Sequence, residues 1–137
     1  MIPKFRLFDK NLRLMLDVHV IDFYERSIDC YADDLGVNRQ EVYSYEIDEN
    51  NYTLMQSTGL HDKNGKEIFE GDIVKVSQDD DYFISFVKNM IEFDYPGFDV
   101  LFPVDWNYEC NVLSHVMNTE QKIEIIGNIH EHPDLLE

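Results

Sequence analysis

The block from Leu54 to Val76 most constrains the fold, because two glycine-bearing corners divide it into apolar runs too short for helices. Asp62-Lys63-Asn64-Gly65 contains an Asn-Gly pair, the dipeptide that tolerates the positive φ values of a tight hairpin turn. Ile68-Phe69 follows, then Gly71 between Glu70 and Asp72, then Ile73-Val74-Lys75-Val76. A glycine directly ahead of a β-branched run reads as a second sharp reversal or bulge. Segments this short, reversed this sharply, are expected to pair as antiparallel strands.

The same pattern recurs along the chain. Phe5 and Leu7 alternate with Lys4 and Arg6, Asp9-Lys10-Asn11 supplies turn chemistry, and Leu12, Leu14, Leu16, Val18 and Val20 run at period two. A hairpin is expected there, with Arg13, Met15, Asp17, His19 and Ile21 on the second strand's other face. Tyr43, Tyr45 and Ile47 share a face of another strand, and Tyr52 to Gln56 forms the next. Tyr82 to Val87 and Met90 to Phe93 are β-prone, Tyr95-Pro96-Gly97-Phe98 suits a type II turn, and Phe98, Val100 and Phe102 share the inward face of a returning strand.

Two stretches depart from period two. Tyr24, Ile28, Tyr31, Ala32 and Leu35 fall at three- and four-residue steps, with Gly36 where a helix C-terminal cap would sit, so a short helix is expected after Asp22. Val112, Leu113, Val116 and Met117 make a second brief helical face before a last strand at Ile123, Ile125 and Ile126. Asp48-Glu49-Asn50-Asn51 is the best candidate boundary, giving an N-terminal region 1–51 (hairpin, short helix and strand) and a domain 52–137. Many short strands with brief helices describe a mainly β protein, a small antiparallel barrel or sheet roll.

Charge narrows the function classes. The 28 Asp and Glu against 11 Lys and Arg leave a formal charge of −17, a field that repels nucleic-acid phosphates, so direct nucleic-acid binding is not expected. The carboxylates read first as solvated surface, and second as a nucleic-acid mimic or a docking face for a basic partner. Cys30 and Cys110 show neither a CxxC pair nor zinc spacing, which suits reduced thiols in a cytoplasm. Met1-Ile2-Pro3-Lys4 does not lead into an apolar segment, and no run approaches the roughly 18 apolar residues of a membrane span. A cytoplasmic protein of the host cell without membrane contact is expected.

Three blocks together resemble the YopX family, found in phages and prophages of Gram-positive bacteria. They are Lys4-Phe5-Arg6-Leu7-Phe8-Asp9, the long run from Leu54 to Val74, and Ile125-Ile126-Gly127-Asn128-Ile129-His130-Glu131 with Pro133-Asp134-Leu135-Leu136. Residues 22–51 match poorly, and His130 and His132 stand where other members more often carry an aromatic and an asparagine. The resemblance implies an SH3-like barrel in the C-terminal part, an N-terminal β-rich extension, and no established biochemical activity. Fold alone does not supply a function.

No catalytic, cofactor or metal set emerges from the residues. Gln56-Ser57-Thr58-Gly59, Asp62 and Asn64 are explained by turn geometry. Glu70 and Asp72 flank Gly71 but have no third ligand nominated. His130 and His132 would face one side of an extended strand, yet zinc needs further ligands, with His61 or His115 as remote candidates. A nucleophilic Cys30 or Cys110 is weaker still. A recognition surface, if present, is expected at Trp106 and Tyr95 with the tail residues Leu135 and Leu136, which are expected to cover an open edge or a neighbouring subunit. The leading expectation is a non-enzymatic phage or prophage accessory protein acting through protein contacts, self-association as a homo-oligomer among them. An acidic mimic that inhibits a host nucleic-acid-binding protein comes second, and a small metal-dependent enzyme third.

Overall fold

Every strand pairing among the described residues is antiparallel, the outcome that short runs joined by tight reversals impose. The structure is a computed structural model and describes residues 4–32, 42–78, 80–89, 98–100 and 122–136. It divides into two units, Met1–Gln56 and Ser57–Glu137, whose boundary falls within a strand, five residues past the acidic turn at Asp48–Asn51.

The first unit contains β1 (Phe5–Asp9), β2 (Leu14–Asp22), β3 (Ser27–Tyr31), β4 (Val42–Glu46) and the first half of β5 (Tyr52–His61), in the order β4-β3-β2-β1-β5. Leu7, Leu16, Ile28, Cys30 and Tyr45 form its core, with Val18, Ile21, Tyr43, Ile47 and Tyr52 packed against them. Register explains the set: Leu7 faces Leu16, Val18 faces Cys30, and Cys30 faces Tyr43. Each large side chain taken from water contributes on the order of 1.5–3 kcal/mol.

Two expectations fail here for identifiable reasons. The unbroken alternation through Val20 is interrupted by a bulge, because β2 advances from Val18 to Val20 while β3 advances only from Cys30 to Asp29. Ile21 therefore turns inward opposite Ile28, and Val20 is left 48% exposed. The expected helix after Asp22 is instead a turn followed by β3. Asp22 Oδ1 accepts the N–H groups of Tyr24 and Glu25, both at 3.0 Å, and Arg26 takes a positive φ of 57°. Ile28 and Cys30 then bury at period two, and β3 gains ladder partners on both sides, which a helix could not have. Leu35 and Gly36 lie outside the described residues.

The second unit holds the rest of β5 with β6 (Glu67–Phe69), and a four-stranded sheet of β7 (Asp72–Gln78), β8 (Asp81–Asn89), β9 (Phe98–Val100) and β10 (Lys122–Asn128) in the order β10-β7-β8-β9. Ile68, Val74, Val76, Phe83, Val87 and Ile123 make its core, joined by Leu60, Phe98 and Ile125. Phe98 thus packs inward as its alternation requires, whereas Phe102 and the helical face at 112–117 lie outside the described residues. Among the described residues the strands do not close into a barrel, and the only helical element is the 3-10 turn Pro133–Leu136, so the architecture is mainly β with antiparallel sheets.

The corners are held by buried side chains. Gly65, rather than Asn64, takes the positive φ (82°), and its N–H donates to Asp62 O. Asp62, 7% exposed, accepts the N–H groups of Asn64 and Lys66 on Oδ1 and that of Ile125 on Oδ2, tying the β5–β6 corner to β10. At the next corner Gly71 has φ 88° and donates its N–H to Val87 O, while Asp72 Oδ2 accepts the N–H of Phe69. In the first unit Asp9 Oδ1 accepts the N–H groups of Asn11 and Leu12, and its Oδ2 accepts the Tyr45 hydroxyl at 2.6 Å.

After β10 the chain folds back on itself. Asn128 Oδ1 accepts the N–H groups of His130 and Glu131, and Asn128 N–H donates to His132 Nδ1. This brings the tail over Gly127, where a Cβ would stand 2.8 Å from His132 Nδ1 and 2.9 Å from Leu135 Cδ1.

Burial alone would raise the carboxyls of Asp9 and Asp62, but their hydrogen bonds outweigh it. The Tyr45 hydroxyl with the Leu12 and Asn11 N–H groups, and the Ile125, Lys66 and Asn64 N–H groups, hold the two below the ordinary carboxylate value. A carboxyl depressed on folding stabilises fully above its unfolded value, near pH 4, and that contribution disappears as pH falls through the folded value. Asp62→Asn is expected to lower stability at pH 7 by about 1–3 kcal/mol and to flatten its decline below pH 4, as read by urea unfolding across pH. Gly127→Ala is expected to displace the tail at a cost of about 1–3 kcal/mol, with faster amide exchange at Asn128 and His132.

Candidate interaction surfaces

The polar clusters that invite a chemical reading are occupied by backbone. Ser57 Oγ accepts the N–H of Gly59, whose φ is 79°, and Thr58 Oγ1 donates to Ile68 O while accepting the N–H of Leu60. Asp72 is buried in its corner, which separates it in role from Glu70. Cys30 is fully buried, and burial with the nearby Asp29 and Asp17 charges pushes its thiol up to about 12, so it is a core residue and not a nucleophile. His130 and His132 do not share a strand face as expected, because β10 ends at Asn128 and the two lie in the returning turn. Among the described residues no group of three or more His, Cys, Asp or Glu is placed to hold a metal, and no helix is long and apolar enough to cross a membrane.

Trp106 and Tyr95 lie outside the described residues, as do Cys110 and His115. Leu135 and Leu136 are described, at 38% and 40% exposure. Leu135 covers the face of β10 toward which residue 127 points. Register extends that face: Gly127 pairs with Ile73 and Ile73 with Phe86, then Glu124 with Lys75 and Lys75 with Ile84, then Lys122 with Ser77 and Ser77 with Tyr82. Tyr82 and Ile84 are 55% and 39% exposed, so among the described residues the large apolar side chains that the second unit leaves exposed lie on one sheet face and at the tail beside it. Its polar members are tied together: Lys75 Nζ sits 4.5 Å from the Tyr82 ring centroid, and Lys63 Nζ lies 3.7 Å from Glu124 Oε1.

The first unit carries a surface that the sequence reading missed. On the face of β2–β3–β4 opposite the core stand Asp17, Asp22, Asp29 and Glu46, with Ser44 Oγ donating to Asp29 and the Tyr31 ring against His19 at 4.3 Å. Above them the turn Phe23–Arg26 presents Phe23 and Tyr24 at 79% and 92% exposure. Helical spacing assigned Tyr24 to a buried face. The signal against that assignment was local: Asp22 is a residue that caps turn N–H groups, and it directly precedes two adjacent aromatics.

The family model described as YopX protein matches residues 4–137. The crystal structure of protein EF1440 from Enterococcus faecalis is similar at 31% identity and a TM-score of 0.63, over 100% of this chain and 99% of that one. That of protein yopX from Bacillus subtilis is similar at 19% identity and a TM-score of 0.53, over 98% of each chain, a likeness of fold. No curated protein matches. The resemblance carried by the Lys4–Asp9, Leu54–Val74 and Ile125–Leu136 blocks thus extends over nearly the whole sequence, and the chain belongs to the YopX protein family.

Proposed function

We propose that this YopX-family chain is a non-enzymatic phage or prophage accessory protein that acts by binding another protein in the host cytoplasm. The observation that carries the reading is the gathering of Tyr82, Ile84 and Leu135, with Leu136 beside them, on one face of the β10-β7-β8 sheet. Exposed apolar side chains concentrated on a rigid sheet, with polar residues between them, are what protein interfaces use. The phage setting comes from the family, and the reading also takes residues 52–137 as an SH3-like barrel following a β-rich extension. Cys30 buried in the core and the backbone-bound Asp9, Asp62 and Asp72 at the corners support a structural use of these residues.

Affinity capture from cells carrying the gene, at two salt concentrations, tests the proposal. The intact chain is expected to retain one specific partner at high salt, and Tyr82→Ser with Leu135→Ser to lose it at least tenfold; equal retention by both would overturn this face as the interface. Light scattering in parallel reports whether the partner is a second copy.

The outward carboxylates Asp17, Asp22, Asp29 and Glu46, spread over β2, β3 and β4, favour a second reading, an acidic mimic of nucleic acid that occupies a host nucleic-acid-binding protein. Paired neighbouring strands lie about 4.8 Å apart, so carboxylates carried on three adjacent strands are held at fixed separations rather than as a diffuse charge. Capture that is lost at high salt, competed by duplex DNA and abolished by Asp17→Asn with Asp29→Asn is expected under that reading; salt-resistant capture excludes it.

A further inference from the structure

We infer that the tip of the β2–β3 hairpin is a docking finger for a partner protein that offers an apolar pocket rimmed by Lys or Arg side chains. The inference rests on the protein-binding reading above but assigns it a separate surface.

Phe23 and Tyr24 project almost fully into solvent, yet the turn that carries them is fastened on every side. Asp22 Oδ1 holds the N–H groups of Tyr24 and Glu25, and Ile47 N–H donates to Arg26 O. The Arg26 guanidinium grips Asp48 through both carboxylate oxygens, with Nε at 3.2 Å from Oδ2 and Nη2 at 2.6 Å from the same oxygen. The pair is exposed, so its value is geometric: it anchors the left-handed residue at the end of the turn. A segment already ordered when free loses little entropy on binding, and aromatic side chains in such positions are the usual anchors of an interface.

The pocket's chemistry follows from the surroundings. Asp22, Ser27 and Glu46 lie in one row immediately below the tip, Glu25 is on it, and Asp48 and Glu49 occupy the neighbouring turn. Arg26 is the cation of this collar, and Asp48 holds it. A partner that accepts the two rings must therefore bring positive charge to the rim, and a partner with an acidic rim is repelled.

The test places a photo-crosslinking benzoylphenylalanine at position 24 of the full chain, and in a second protein at position 82, within cells carrying the gene. The expected result is a position-24 adduct with a single protein whose crosslinked peptide lines an apolar pocket flanked by Lys or Arg. Binding of that purified protein should fall at least tenfold with Phe23→Ser and several-fold with Glu25→Lys, in variants that melt with the unaltered protein, and should weaken as salt is raised. A position-24 adduct with a second copy of this chain, an acidic rim, or binding of the purified chain to phosphatidylcholine–phosphatidylglycerol vesicles that Phe23→Ser abolishes would overturn the inference. Capture at position 82 alone removes the finger but leaves the proposed function standing; capture at neither removes both.

Discussion

A strand that stops leaves backbone N–H groups with no ladder partner, and in a fold made of many short strands those ends are numerous. This protein resolves them with short side chains buried at the corners. Asp9 closes β1 onto the following turn, Asp62 closes the β5–β6 corner and reaches across to β10, Asp72 closes the corner before β7, and Asn128 closes the turn after β10. Each is buried, and each accepts from at least one backbone N–H. The sheets depend on these contacts because they set where a strand ends, and hence which face its side chains address.

Charge has two separate roles in consequence. Among the described residues of a chain of formal charge −17, Asp9, Asp62 and Asp72 are buried acceptors held among backbone donors. Others, such as Asp17, Asp29 and Glu46, stand on an outward sheet face. Only the second kind is available to a partner. Composition merges the two, since burial and hydrogen bonding are invisible in a count of carboxylates.

Much of the core was legible in the sequence because period two survives pairing. Leu7, Leu16 and Tyr45 stand on alternating apolar faces in the sequence and in the core of the first unit. The glycines at 65 and 71 were legible for the same kind of reason, a backbone conformation that few residues adopt. The region from Asp22 to Tyr31 was not legible. Tyr24, Ile28 and Tyr31 have helical spacing, but they occupy a turn tip, an inward position and an outward position of a hairpin. The tail was half legible: Leu135 and Leu136 were named as surface residues, while the return of His132 over Gly127 is a matter of tertiary structure.

The sequence by itself determined that this chain forms antiparallel strands with glycine at its sharpest corners, and placed it in its family through three blocks in order. Those properties depend on neighbours within a few residues, where φ preferences and alternation act. Tertiary structure alone decided that β2 bulges between Val18 and Val20, that Ser27–Tyr31 pairs on both edges, and that Phe23 and Tyr24 remain in water. Each of these follows from a partner strand's hydrogen bonds and buried surface, which lie far away in sequence and outweigh the local preference.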